Sequence, residues 1–400
     1  MKLVFCYTGE AMNKFIEVVL DIKKKQAKIL AIAKKFPTPF YLIDDLGLNQ
    51  SINEFQKAFR KHLPQSRFFY AIKSNYHAHI LQKVVRHGWG LDASSGRELN
   101  LALKAGAKEI LFTGPGKTDA ELKLALKHTG KVILNIDNFS ELSRVGKLLK
   151  NKRVQLHAGV RFFSKHHGHW TKFGIPLKDL ARFWKAANEI PNLHLRGIQF
   201  HSSHNLTADR NVKIIAELGQ YLRKNFSPEM LSQIKYIDLG GGYFPNKVEG
   251  VYLKNGKGYS ATRAVSPEQF AKSLKIAIKK HLESILKPEY YLEPGRIIST
   301  KAMHLVLRIV DVKEGLAITD GGINMMGWEF GKEFYLPIIN LSNFSKRELR
   351  FPIYGSLCTP RDIWGYYIFA KKITSGDVIV IPNQGAYRFT LAQEFIKPIP

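Results

Sequence analysis

Apolar positions recur along this chain at two spacings. Over residues 12–35, Phe15, Val18, Val19, Ile22, Ile29 and Ala33 fall at the spacing of one helix face, and Pro37 and Pro39 end the run. Phe40-Tyr-Leu-Ile43 then forms a short strand before Asp44-Asp45. Beyond it come short apolar runs of the kind that parallel strands buried on both faces require: 68–72, 89–92, 110–113, 132–136, 156–161, 196–201, 235–239 and 289–293. Helical patterns lie between most of them, such as Ile52, Phe55, Phe59, Leu63, and Leu99, Leu101, Leu103 with Gly106 as a stop. Eight strands with intervening helices over about 230 residues predict a (β/α)8 barrel of the TIM type, with a doubly wound open sheet as the competing arrangement. After residue 295 the strand-like runs (303–311, 315–319, 350–354, 366–371, 377–381) follow one another without long helices, which predicts a C-terminal β-rich domain. The expected layout is a helical extension over 1–36, a strand at 37–46 joining the β domain, a barrel over 47–294 and the β domain over 295–400.

Composition narrows the class. With 400 residues, 45% hydrophobic and 24% charged, the chain is neither collagen-like nor mostly disordered, and its length suits two or three domains. Cys6 and Cys358 are too few for a disulfide scaffold. Lys plus Arg is 61 against 33 Asp plus Glu, a net charge of +28. The lysines are spread along the chain without a block of like charges, so the excess reads as a basic solvated surface suited to anionic ligands, not as a nucleic-acid or membrane patch. No run reaches the ~18 apolar residues of a membrane span, and Met1–Cys6 is too short for a signal-peptide core. A cytoplasmic location is expected.

Barrel enzymes carry their chemistry at the C-terminal ends of the strands. In order, those ends supply Lys73, Asp92, Arg161, His201 with His204, Asp238 before Gly240-Gly241-Gly242, and Glu293 before Arg296. Lys73 follows an apolar run, so its base sits at a desolvated rim where an amine is freed for Schiff-base chemistry. A glycine turn lets backbone N–H groups approach a phosphate, and Arg296 adds a charged contact. An amine for an aldehyde, a phosphate cradle and a carboxylate for a ring nitrogen together match pyridoxal 5′-phosphate.

With these residues the chain resembles the fold-type III pyridoxal-phosphate decarboxylases, the family of the diaminopimelate and ornithine decarboxylases. The likeness runs from about Pro37 to Pro400. Its landmarks are Tyr70-Ala-Ile-Lys73-Ser-Asn75, Asp92-Ala-Ser-Ser-Gly-Arg-Glu98, Lys172-Phe-Gly174, the His201 segment, Gly240–Gly242, Glu293-Pro-Gly-Arg296, Asp320-Gly-Gly322, Gly355–Asp362 and Gly385-Ala-Tyr387. The resemblance implies an alanine racemase-like barrel plus β domain, and a homodimer whose active sites are shared between chains. It implies Lys73 as the Schiff-base lysine on the way to a quinonoid intermediate, and His201 stacked on the cofactor ring. Gly240, Gly241, Gly242, Arg296 and Tyr387 fall on phosphate ligands, with Asp92 and His204 also near the cofactor. Glu293 falls on the partner of the pyridine nitrogen, which favours decarboxylation over racemisation, and Cys358 on the cysteine given by the other subunit. Arg161, Thr359 and Asp362 are the expected substrate contacts.

Three departures bear on the substrate. Thr359 follows Cys358 where the family usually has an acid for the distal ammonium. No arginine stands in Met325-Met326-Gly-Trp328-Glu329-Phe330 after the Asp-Gly-Gly motif. His204 replaces an expected serine. The stretch Lys165-His166-His167-Gly-His169-Trp170-Thr-Lys172 lies where the family places specificity loops; its histidines read as exposed loop residues, with no metal expected. The expected activity is decarboxylation of an amino acid or amino-acid conjugate, resembling the atypical decarboxylases of siderophore and antibiotic pathways. The alternatives are diaminopimelate decarboxylase of lysine biosynthesis and a non-catalytic regulatory homologue that keeps the cofactor.

Overall fold

Eight parallel strands close on themselves: β1 (Ser66–Ala71), β2 (Gly90–Ala93), β3 (Ile110–Phe112), β4 (Val132–Ile136), β5 (Leu156–Phe163), β6 (Leu193–Gln199), β7 (Tyr236–Asp238) and β8 (Glu289–Leu292). Each pairs with the next, and β8 pairs with β1, Tyr290 against Ser66. The closure gives the expected (β/α)8 barrel and removes the open-sheet alternative. The structure is a computed structural model describing residues 9–150, 152–168, 171–246, 251–253, 259–261, 264–327 and 334–400.

The barrel interior is packed with aromatic rings. Tyr236 and Tyr291 stack with centroids 4.3 Å apart and planes 4° apart, joined by Phe69 and Leu111. The Tyr236 ring occupies the space in front of Gly197, where a Cβ would fall 1.9 Å from its Cζ. Its buried hydroxyl donates to Asn135 Oδ1 at 3.1 Å, as a buried phenol requires. The helices that cover the outside begin at side-chain caps: Ser95, Asn138 and Ser227, with reciprocal capping boxes at Thr118/Glu121 and Ser266/Gln269.

The chain divides into two compact units, one of Ile52–Phe244 with Val265–Ile297, the other of the chain up to Ser51, Pro245–Ala264 and Ile298–Pro400. In the second, Met303–Lys313, Leu316–Thr319, Phe344–Tyr354, Ile363–Ala370, Ile339–Asn340 and Val378–Ile381 form one sheet, closed by pairing of its first and last members. Phe40–Ile43 adds to it, antiparallel to Met303–Lys313. Alternation sorts the faces. Leu305, Leu307 and Ile309 enter one core, and Val306 enters another shared with Val19, Ile22, Ile29 and Ala33 from the leading helices.

Those helices correct one expectation. The single helix over 12–35 is two, Gly9–Lys24 and Gln26–Lys35. At the break the Lys25 N–H bonds Ile22 O, a tightened i→i−3 turn. Ile339–Asn340 and Ile175–Pro176 were missed because two residues carry no period. Among the described residues no helix is long and apolar enough to cross a membrane.

Candidate active site at the barrel rim

The rim is built from the ends of β1, β2, β5, β6, β7 and β8. Lys73 sits just past β1, on the one-turn helix Ile72–Ser74. Ser74 Oγ donates to Ala71 O at 2.8 Å, and Tyr70 OH donates to Asn75 O at 3.1 Å, which pins the turn. The Lys73 amine lies 3.2 Å from Asp92 Oδ2. The expected desolvation holds only for its base: the side chain is 37% exposed, whereas Asp92 is fully buried. Burial and neighbouring Glu293 raise the Asp92 carboxyl to about 6, with Lys73 pulling the other way.

Glu293, just past β8, is fully enclosed. Its Oε1 accepts Gln199 Nε2 at 2.9 Å, and its Oε2 lies 3.1 Å from His201 Nδ1. Burial pushes its carboxyl up, but His201, Lys73 and Asp238 outweigh that and hold it down to about 2, so it is ionised near neutral pH. Burial lowers His201 below the ordinary imidazole range.

The glycine turn packs against both residues. Gly240 and Gly242 have φ of +68° and +81°. A Cβ at Gly241 would meet Glu293 O at 2.3 Å, and one at Gly242 would meet Ser202 O at 2.2 Å. Asp238 Oδ1 accepts the Gly240 N–H at 2.9 Å, and the Gly241 N–H lies 3.1 Å from His201 Nδ1, which accepts it in one tautomer and donates to Glu293 in the other. Asn205 clamps the turn from outside, donating to Ser202 O and Gly241 O. Arg296 stacks over the Phe244 ring at 4.7 Å. His204, also near Phe244, is exposed and has φ of +55°.

Arg161, at the end of β5, is 8% exposed and lies over the Phe173 ring at 4.6 Å. Its guanidinium makes no hydrogen bond to a described residue and feels Glu293, Asp137, Asp92 and Asp238. The histidine loop differs from its expected exposure. His167 is buried, its Nδ1 accepts the Ser164 N–H at 2.9 Å, and burial lowers it to about 4. His169 and Trp170 lie outside the described residues. Among the described residues no group of three or more His, Cys, Asp or Glu is placed to hold a metal.

The remaining expected site residues belong to the β-rich unit. Cys358 is exposed. Thr359 is half-buried, its Oγ1 accepting the Arg361 N–H at 3.4 Å. Asp362, expected as a substrate contact, has both oxygens committed to backbone, from Ile323 N–H at 2.7 Å and Leu357 N–H at 2.6 Å, so it frames the loops around it. Tyr387 takes the left-handed conformation, φ +63°, ahead of Arg388–Leu391. Met325 and Met326 are buried; Trp328, Glu329 and Phe330 lie outside the described residues.

Sequence reasoning missed Gln199 and gave Asp238 no role. The signal was register. Gln199 pairs with Asp238, and Asp238 with Tyr291, two residues before Glu293. A polar residue closing an apolar parallel strand belongs to this rim.

The donor set fits pyridoxal phosphate. A reachable amine, an ionised buried carboxylate and a turn with no room for side chains lie on one rim. Among the described residues, Asp92 Oδ1, Gln199 Oε1 and Asp238 Oδ2 are buried there without a hydrogen-bond partner, which marks a place built for more than packing.

Comparison with known proteins agrees. Residues 49–300 match the family model of the pyridoxal-dependent decarboxylase, pyridoxal binding domain. A 2-[(L-alanin-3-ylcarbamoyl)methyl]-2-hydroxybutanedioate decarboxylase of Staphylococcus aureus is 27% identical, covering 90% of this chain and 92% of its own length. The diaminopimelate decarboxylase of Aquifex aeolicus is 25% identical over 91% of this chain and 85% of its own. In fold, the chain is similar to the M. jannaschii diaminopimelate decarboxylase in complex with L-lysine (TM-score 0.77, 22% identity, 91% of this chain and 86% of that one). It is also similar to the Vibrio vulnificus lysine/ornithine decarboxylase complexed with cadaverine (TM-score 0.75, 21% identity, 93% and 95%). The chain belongs to the pyridoxal-dependent decarboxylase family: its cofactor is pyridoxal 5′-phosphate and it is an amino-acid decarboxylase.

Proposed function

We propose that this decarboxylase acts on an amino acid or amino-acid conjugate whose far end is anionic or polar and carries no simple ammonium. The observation that carries the reading is Arg161, a buried guanidinium at the rim with no hydrogen bond to a described residue. A substrate carboxylate would give it the charge-assisted partner it lacks. Thr359 supports the same reading, since a hydroxyl cannot pair with an ammonium as an acid does. So does the name of the Staphylococcus aureus relative's substrate, an alanine joined through a carbamoyl group to a hydroxybutanedioate.

In this reading Lys73 would hold the cofactor through its amine, and His201 would help seat its ring. Gly240–Gly242, Arg296 and His204 would serve its phosphate. Bound pyridoxal phosphate supplies the sink for the electrons left on Cα when carbon dioxide departs. Glu293, ionised and buried, holds a proton at the ring nitrogen and so keeps that sink effective. Asp92 orients the Lys73 amine. The protein works as a homodimer in which Cys358 serves the second copy's site and delivers or directs the proton to Cα, as an exposed thiol near a cation can.

The test is carbon dioxide release from purified, cofactor-loaded protein with meso-diaminopimelate, lysine, ornithine and a diaminopropionate amide of a hydroxylated di- or tricarboxylate. The anionic conjugate is expected to lead by about 10- to 150-fold in kcat/KM, the worth of one charge-assisted contact. Efficient, selective turnover of meso-diaminopimelate would overturn the substrate reading. For the shared site, Lys73→Ala chains mixed with Cys358→Ala chains should regain activity through one unimpaired site per mixed dimer. No regain means each chain holds a complete site.

A further inference from the structure

Three buried carboxyl groups, Asp92, Asp238 and Glu293, lie at this rim, and the mechanism uses all but Asp238. Asp238 closes β7 and is fully buried. The register of β7 against β8, Asp238 beside Tyr291, carries Glu293 over it, and Glu293 N–H bonds Gly240 O at 2.9 Å across the same turn. Asp238 Oδ1 accepts the Gly240 N–H. Its Oδ2 is buried, and no N–H or hydroxyl among the described residues reaches it. The strongest charge acting on it is the Glu293 carboxyl, which raises Asp238 while Asp238 in turn helps hold Glu293 down.

Two buried carboxyls that interact this strongly resist carrying two charges, so one of them holds a proton. The surroundings choose which. Glu293 receives the Gln199 amide, lies against His201 and feels Lys73. Asp238 receives a single backbone N–H. Facing it are Glu293, Asp92, the phenols of Tyr236 and Tyr243, and the Arg161 guanidinium. A proton on Oδ2 turns an unpartnered acceptor into a donor aimed at Glu293 and satisfies both groups.

We propose that Asp238 is a positioning residue that works as a neutral acid: its Oδ2–H donates to Glu293 while its Oδ1 holds Gly240. One side chain then ties the carboxylate assigned to the cofactor's ring nitrogen to the turn assigned to its phosphate. It also lets Glu293 stay charged without a second negative charge in contact. The strong upward push that burial and Glu293 give Asp238 agrees with this. The role given to Glu293 rests on the proposed mechanism, but the proton on Asp238 does not.

The experiment uses three proteins, wild type, Asp238→Asn and Asp238→Ala. Infrared spectra of cofactor-free, carboxyl-labelled protein at about pH 8, above the range to which Asp92 is raised, should show a protonated aspartic acid carbonyl band. That band should be missing from Asp238→Asn. Asparagine keeps both contacts, with Nδ2 as donor and Oδ1 as acceptor, so Asp238→Asn should bind pyridoxal phosphate as tightly as wild type and keep its kcat–pH profile. Asp238→Ala loses both contacts and should release the cofactor about tenfold more readily. No band attributable to Asp238, or an Asp238→Asn protein as impaired as Asp238→Ala, overturns the proposal. Because the infrared measurement needs neither cofactor nor substrate, it decides the protonation whatever the substrate proves to be.

Discussion

Two buried carboxylate–histidine pairs in this chain look alike in isolation. In the β-rich unit, His304 Nε2 lies 3.2 Å from Asp44 Oδ2; at the barrel rim, His201 Nδ1 lies 3.1 Å from Glu293 Oε2. Their surroundings differ. Around Asp44 the bonds close: Lys25 Nζ reaches Oδ2 at 2.6 Å, the Gly47 N–H reaches Oδ1 at 3.1 Å, and the Asn383 N–H donates to His304 Nδ1 at 3.1 Å. Gly47 is part of the closure, since a Cβ there would fall 2.9 Å from Asp44 Oδ2. Around Glu293, Asp92 Oδ1 and Gln199 Oε1 have no hydrogen-bond partner among the described residues. A polar network that only fastens a fold saturates itself. One that serves a ligand keeps valences and charge in reserve, at a cost in stability that the packed barrel beneath it offsets.

The largest test sets the two lysines against each other. Lys73→Ala should cut decarboxylation on the order of 10⁴-fold or more, as removal of a covalent group does. It should also abolish borohydride-fixed cofactor in the mass spectrum of the intact chain. Lys25→Ala should leave both readings unchanged. Cofactor still fixed to Lys73→Ala protein at the same segment would sink the assignment.

Exchanging the carboxylates for amides comes next. Glu293→Gln should lower kcat by about 10²- to 10³-fold, the scale of losing one preorganised electrostatic group. Asp44→Asn should do the reverse, keeping kcat within about twofold while losing about 3 kcal/mol in urea unfolding, because it breaks a buried charge pair. Equal losses of kcat in both variants would erase the distinction.

The contrast also explains what the sequence made legible. The barrel was legible because eight runs such as Phe68–Ile72 and Val132–Ile136 are too apolar for any place but a sheet covered on both faces. Lys73, Glu293 and Gly240–Gly242 were legible because each interrupts such a run with chemistry that packing does not need. Gln199 was not, because its meaning lies in lateral pairing with Asp238 across a gap no local pattern spans. His167 was misjudged because composition gave a loop, while the Ser164 cap folds its ring inward. Asp362 was read as a ligand from its neighbourhood in the chain; its work with Ile323 and Leu357 appears only in three dimensions.

Asp44 in the β-rich unit and Asp92 at the rim should also respond to pH with opposite slopes. Burial raises Asp44, but His304, Lys25 and Gly47 overcome it and hold the carboxyl well below its usual range. Asp44 therefore adds stability above pH ~4 that is lost as the pH falls toward its folded value. Asp92 is raised from 3.8 to about 6. The folded state holds that proton more tightly, so stability falls as the pH climbs from about 4 to about 6, by up to about 3 kcal/mol. Urea midpoints across pH 3–8 (roughly the window these shifts define) should show Asp44→Asn flattening the acid limb and Asp92→Asn flattening the decline toward pH 6. A decline toward pH 6 unchanged in Asp92→Asn would place it on another group.

The smallest effect belongs to Lys25, a partly exposed member of the closed network, with 23% of its side chain open to solvent. It reaches two carboxylates, Asp21 at 2.7 Å and Asp44 at 2.6 Å. Its removal leaves Asp44 with His304 and the Gly47 N–H, so the buried charge is not abandoned. Lys25→Met keeps the aliphatic stem and its packing and deletes only the charge. The loss should be about 1 kcal/mol at low salt, the scale of a half-screened pair, and should shrink as salt shortens the screening length to a few ångströms. Urea unfolding at two ionic strengths, with Lys25→Met, Asp44→Asn and the double variant, measures it as a coupling energy. A coupling near 3 kcal/mol that ignores salt would make Lys25 as buried in effect as His304, and the closed network would then have no exposed edge.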